Sequence, residues 1–282
     1  MKDRAAPALH GLRHRALAIL HDAFESEKGW VKVHAAEALM DFGRHDTVRQ
    51  GITAAEGPWE GSTRIGHGRV MYALSTHDSE KQYWSGKIEG YYTDKNSPIG
   101  LNALESLCKL RFIAAGDTLE QIRRDSADHS KPEAPFALWA LHNAGNQEAA
   151  FRIGEILSSS DCEIRKLTAF CLRWMKSGAS PALKQLAELA GNEPRESEAY
   201  PFMRSAAVSL KADFDRGAEW KEDLVNILED AGCSVRYEIC QALKNDFTPA
   251  DLETLLALLD CPDADVRIGS SAAIISLVDR QI

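Results

Sequence analysis

Apolar positions recur three and four residues apart along almost the whole chain, the spacing that places side chains on one face of an α-helix. One stretch states the pattern most fully: Trp30–Leu39, WVKVHAAEAL. Segments matching Val31–Leu39 follow at Ile99–Leu107 (IGLNALESL), Ile164–Leu172 (IRKLTAFCL), Phe202–Leu210 (FMRSAAVSL), Val235–Leu243 (VRYEICQAL) and Val266–Ile274 (VRIGSSAAI). Gly66–Leu74 and Glu133–Leu141 fit more loosely. Aligned on the final apolar residue, the copies fall at Leu39, Leu74, Leu107, Leu141, Leu172, Leu210, Leu243 and Ile274, with steps of 35, 33, 34, 31, 38, 33 and 31 residues. Second amphipathic segments lie between them: Val48–Ala55, Ser79–Tyr91, Thr118–Arg124, Gln147–Leu157, Pro181–Ala190, Ala218–Leu228 and Pro249–Leu259, with Pro7–Phe24 before the first copy. Gly, Pro and Asn punctuate the boundaries, as at Phe42-Gly43, Asn143-Ala144-Gly145 and Thr248-Pro249. The pattern predicts a unit of helix A, loop and helix B, repeated eight times. A pair this short cannot bury its own apolar face, so the units must stack.

The B-segment pattern V-R-x-x-A-A-x-A-L, often preceded by Asp, resembles the short HEAT-like repeats also found in phycobilisome lyases. It is clearest at DADVRIGSSAAI (263–274) and CSVRYEICQAL (233–243), and it spans nearly the whole chain. The tetratricopeptide period is similar, but its W…LG…Y…A…F…P consensus is missing. The resemblance implies an all-α fold: a right-handed α-solenoid (α-α superhelix) of about eight HEAT-like helix pairs, with residues 1–282 as a single domain. It implies little chemistry, because fold and function are only loosely tied.

Composition narrows the partners. With 282 residues, 44% hydrophobic and 27% charged, the chain has ordinary soluble composition and ample material for a core. No apolar run approaches the ~20 residues of a membrane span. The N-terminus lacks the h-region and cleavage site of an export signal. Six cysteines, most of them within apolar helical patterns, form no C-x-x-C, and with the missing signal they point to reduced thiols in a cytoplasmic protein. The net charge of −9 is concentrated in residues 191–282, where 9 Lys+Arg face 18 Asp+Glu. That acidity argues against a nucleic-acid partner. There is no H-E-x-x-H, no phosphate-loop or dinucleotide signature and no G-x-S-x-G, so no cofactor and no metal is called for. HEAT-like metalloenzymes that hydroxylate deoxyhypusine use His-Glu dipeptides, and this chain has none.

At 100° per residue, Val31, Ala35, Ala38, Leu39 and Phe42 form the buried face of the first B helix, and Trp30, His34, Glu37 and Asp41 a neighbouring stripe. The resemblance implies that B helices line a concave surface. Carried down the stack, the stripe gives Arg69 and Tyr72, then Asn102, Glu105 and Lys109, then Phe136, Trp139 and Asn143, then Phe170 and Trp174. The sixth copy contributes Ser205, Val208 and Ala212. Polar groups beside aromatic faces suit a binding concavity. Trp30, Trp59, Trp139 and Trp174 would lie in or beside it, although Phe136, Trp139 and Phe170 fit inter-repeat core as well. His34 and Glu37, one turn apart, can pair as acid and base, and Asn102 and Glu105 repeat the spacing. Arg64, His67 and Arg69 precede or open the second B helix, where backbone N–H groups favour an anion. The loops Gly57–Arg64 and Gly191–Tyr200 are longer than the rest and fall on one edge of the stack.

Two functions fit. The first is a binding scaffold for a protein partner or small anionic ligand in the N-terminal half of the groove, through Trp30, Trp59, Arg64, His67, Arg69, Tyr72, Asn102, Phe136, Trp139 and Trp174. The second is an enzyme, for example a lyase, on a sugar or similar polar metabolite, with His34 and Glu37 or Glu105 as acid and base. The last helix adds one expectation. Ile274, Ile275, Leu277 and Val278 end the chain with no polar capping repeat after them, so this end packs on another copy or partner, continued in an ancestor as part of a larger protein, or turns wholly to repeat seven.

Overall fold

A computed structural model of the chain describes residues 2–54, 59–213 and 215–281. Those residues are all-helical, with no strand. The helices are α1 (Lys2–Ser26), α2 (Gly29–Asp41), α3 (His45–Ala54), α4 (Thr63–Leu74), α5 (Asp78–Thr93), α6 (Gly100–Lys109), α7 (Gly116–Asp125) and α8 (Glu133–Asn143). They continue with α9 (Glu148–Ile156), α10 (Cys162–Met175), α11 (Leu183–Asn192), α12 (Tyr200–Ser209), α13 (Gly217–Ile227), α14 (Cys233–Leu243), α15 (Leu252–Leu258) and α16 (Ala264–Asp279). Short 3₁₀ turns precede α11 and α15. Every predicted B segment falls within, or within a residue of, an even-numbered helix, and the A segments fall on the odd-numbered ones. The start of the long loop before α4, Gly57 and Pro58, lies outside the described residues, as does Ala55 at the end of the second A segment.

One device ends several of the B helices. After α2, Gly43 turns left-handed (φ +75°), its N–H bonding Met40 O at 2.9 Å while that of Arg44 bonds Leu39 O at 3.0 Å. This double bond satisfies carbonyls the helix would otherwise leave open. The same pair recurs at Arg111 and Phe112 after α6, and at Gly145 and Asn146 after α8, closing on Leu107 and Leu141. After α12 it closes on Ala207, through Lys211 and Ala212. The sixth copy is therefore registered on Ala207 and not on Leu210, which replaces the uneven steps of 38 and 33 with 35 and 36. Phe202 then takes the place that His34 holds in the first copy. The Leu210 match misled because apolar residues three apart share a face.

Packing divides the chain into two compact units. The first joins the beginning, Met1–Glu60, to the end, Lys221–Ile282. At its centre is α16, in which Val266, Ile268, Ala272–Ile275, Leu277 and Val278 are all buried. A helix apolar on every side needs neighbours on every side. They come from α1, α2, α14 and α15. The apolar residues that suggested self-association are thus covered within the chain, by α14 and by α1, whose Ala16, Leu20, Ala23 and Phe24 are buried as well. Ion pairs rim this core: Arg13–Asp279 at 2.6 Å, Arg15–Asp260 at 2.8 Å and Lys244–Asp41 at 2.7 Å. Exposed as they are, each adds at most about 1 kcal/mol.

The second unit is the continuous run Gly61–Trp220. Its B helices stack in sequence order, α4 on α6, α6 on α8, α8 on α10 and α10 on α12, with an A helix packed beside each. The long loop before α12 is tied back to α10: Arg165 grips Glu193 through two bonds, of 2.8 and 3.1 Å. Asp161 caps α10 by accepting from Glu163 N at 2.8 Å and Ile164 N at 3.3 Å.

The shared left-handed cap makes a direct prediction. Gly145→Ala places a Cβ on a backbone at φ +95° with nothing nearby to clash, so only the conformational penalty acts. A loss of about 1–2 kcal/mol is expected by urea denaturation.

Candidate functional site

The predicted site residues divide between the two units. In the first, His34 projects from the middle of α2 and its Nδ1 lies 2.8 Å from Asp265 Oδ1 at the start of α16. Its ring stacks on Tyr237 of α14 at 5.0 Å, with Trp30 at 5.8 Å on the preceding turn. A carboxylate partner of His34 is therefore Asp265, which the expected His34–Glu37 pairing did not include. Packing of α16 on α2 supplies a carboxylate from across the core, while Glu37 sits half-buried one turn along. Held by a carboxylate on one nitrogen and a ring on its face, this imidazole has a fixed orientation. Trp59, in the loop before α4, is half-buried.

In the second unit the proposed anion-binding trio has three different surroundings. Arg64 is exposed in the first turn of α4. His67 meets Trp84 edge-on at 5.4 Å, and burial, with Lys87 nearby, holds its pKa below the usual histidine value. Its neutral form is favoured, which weakens it as an anion ligand. Arg69 is buried, at 6% exposure, and donates to Ser106 Oγ on α6 at 3.1 Å. Tyr72 and Asn102 are half-buried.

The aromatic stretch is graded from core to surface. Phe136 and Trp139 on α8 are 2% and 3% exposed, enclosed in a helix buried from Ala134 to Leu141. Neither offers a ring face to a ligand, which corrects the ligand-binding role expected for both. Phe136 backs Phe170 of α10 at 6.2 Å, and Phe170 in turn meets Trp174 at 6.2 Å. Trp174 emerges at 37% exposure. Lys109 Nζ of α6 lies 4.6 Å from the Trp174 ring and 5.1 Å from that of Phe170, and it is held by Glu105 at 2.6 Å. The Arg173 guanidinium lies 5.4 Å from Trp174. Two cations thus polarise one exposed aromatic, an arrangement worth about 0.5–1 kcal/mol per contact at a surface. Glu105 serves here as the anchor of Lys109.

Beneath this patch Cys108 and Cys171 are fully buried, and burial pushes both thiols well above the usual range. Cys108 donates to Phe136 O at 3.2 Å, so it acts as a small core residue. Among the described residues no cluster of three or more His, Cys, Asp or Glu is placed to hold a metal ion.

No family model and no curated protein matches the chain. It is similar to a crystal structure of an engineered protein at 16% identity, over 96% of this chain and 84% of that one, with a TM-score of 0.41. A second engineered protein is similar at 17% identity, over 88% of this chain and 97% of that one, with a TM-score of 0.37.

Asp265, Tyr237 and Arg173 are the members that sequence reasoning passed over. Asp265 stands in the repeat motif D-A-D-V-R, where it reads as a helix-start acid. Lys109 was on the predicted stripe, and its role depends on α10 lying against its neighbours.

The two depressed histidines set a pH dependence. Burial lowers the pKa of His142, whose Nδ1 is buried with no hydrogen-bond partner among the described residues, and burial acts likewise on His67. In both cases the unfolded chain takes up protons first, so stability falls as pH drops below about 6.5 and stops falling below each folded-state pKa. His142→Gln and His67→Gln should each flatten the dependence of the urea midpoint between about pH 7 and 5. A variant with the wild-type slope would count against that histidine.

Proposed function

We propose that the chain is a HEAT-like helical repeat scaffold that grips a protein partner or small anionic ligand through the second helices of its pairs. The observation that supports this reading most is Trp174, an exposed large aromatic set between Lys109 and Arg173. A rigid aromatic supplies contact area at small entropic cost, and adjoining cations orient an acidic group against it. Its base is rigid, since Phe170 and Phe136 run back into the core of α8 and Glu105 fixes Lys109. Local positive charge on a chain of net charge −9 also gives an acidic partner a place to land.

An enzyme acting on a sugar or similar polar metabolite is the second reading, favoured by one observation. His34 is bonded to Asp265 at 2.8 Å, and an imidazole oriented by a carboxylate is a suitable general base. In that reading Tyr237 and Trp30 flank the base.

Isothermal titration with acidic sugars and with an acidic peptide bearing one aromatic residue separates these readings. The scaffold reading expects binding that Trp174→Ala and Lys109→Ala each weaken about tenfold or more, the range of an interface anchor, while His34→Gln leaves it unchanged. Binding unaffected by either substitution would overturn it. Turnover of a bound sugar, abolished by His34→Gln, would establish the enzyme instead.

A further inference from the structure

A different surface, on the A helices, carries donors of its own. Within the second unit a recess of about 280 Å³ opens between the A helices α7 and α9, floored by Leu141 of α8. Leu119 on α7 and Ala144 beyond the end of α8 complete an apolar base. Around it stand Arg123 of α7, Arg152 of α9 and Asn146 in the loop between α8 and α9.

Each of these side chains is held by the protein at one end and left with donors at the other. Arg152, half-buried, has its Nη2 bonded to Ser126 O at 2.9 Å and to His129 Nε2 at 3.1 Å. Neither partner is a carboxylate. No carboxylate neutralises this guanidinium among the described residues, and its Nε and Nη1 donors remain. Asn146 accepts at Oδ1 from Glu148 N at 3.0 Å and Ala149 N at 3.3 Å, which caps α9 and leaves its amide NH₂ over. Arg123 holds Glu120 through Nη1 alone, an exposed pair one helical turn long that solvent screens. The recess lining thus contributes two guanidiniums and an amide, with no acid among the described residues. A half-buried guanidinium without a carboxylate partner, pinned by Ser126 O and His129 Nε2, is prepared for an anion.

We infer that this recess binds a small organic anion, a carboxylate or a phosphate ester, whose compact apolar body rests on Leu119 and Leu141. Arg152 supplies the fork for the anionic head, Arg123 a second cation at the rim, and Asn146 a neutral donor. The volume, near the lower end of ligand pockets, suits one ring or a short branched chain.

Calorimetric titration of the whole chain with benzoate, phenyl phosphate and inorganic phosphate tests it. Binding of benzoate or phenyl phosphate is expected, tighter than that of inorganic phosphate, and whichever of the two organic anions binds better identifies the head group. Arg152→Gln should weaken it about tenfold or more, the worth of a charge-assisted bond. Because that change also removes a tie to the segment after α7, Asn146→Asp is the sharper variant. It keeps the acceptor that caps α9 but adds a negative charge to the recess, so binding should vanish while thermal stability holds. No binding of either organic anion at millimolar concentration would overturn the inference. So would affinity unchanged in both variants, or inorganic phosphate binding as tightly as phenyl phosphate.

Discussion

Burial of α16 on every side is the constraint from which the first unit follows. A helix carrying Ile274, Ile275, Leu277 and Val278 in one short run has no polar face to turn to water. Neighbours in sequence, α14 and α15, cover part of it, and α1 and α2 cover a comparable part. The two ends of the chain are therefore one folding unit, and the pairs Arg13–Asp279 and His34–Asp265 are consequences of that apolar contact more than causes of it. Apolar burial scales with area and needs no particular geometry, whereas the ion pairs at the rim gain little in water.

The two units handle the same repeat differently. In the second, each B helix finds its partner in the next one along, so packing is local in sequence and regular. There the aromatic series Phe136, Phe170 and Trp174 runs from core to surface over adjoining helices, and two cations gather at its exposed end. The opposite helices of the same pairs hold the arginine-lined recess. Chemistry in this unit therefore sits on both layers, in the spaces where adjacent side chains leave donors or ring faces unburied.

Much of this was legible along the chain. Helical spacing located the B helices, and the Gly and Asn punctuation located the left-handed turns at Gly43 and Gly145, because those positions demand a backbone most residues resist. Where several faces of a helix are apolar, spacing ceases to discriminate. For that reason α8 allowed Trp139 to be read as groove when it is core, and α12 allowed a register three residues off. The His34–Asp265 bond was not legible, since 231 residues separate its members and only the meeting of the chain ends joins them. Arg152 was overlooked on similar grounds: a lone arginine on an A helix looks solvated until its partners in the segment after α7 are known.

Hydrogen exchange on wild type and Ile274→Ala tests the joining of the two ends most directly. Removing a fully buried side chain from α16 weakens whatever depends on that helix. If α1 and α16 share one core, amides throughout α1 and α2 will exchange faster together with those of α14–α16. Protection in α1 that is unchanged while α16 opens would contradict the account.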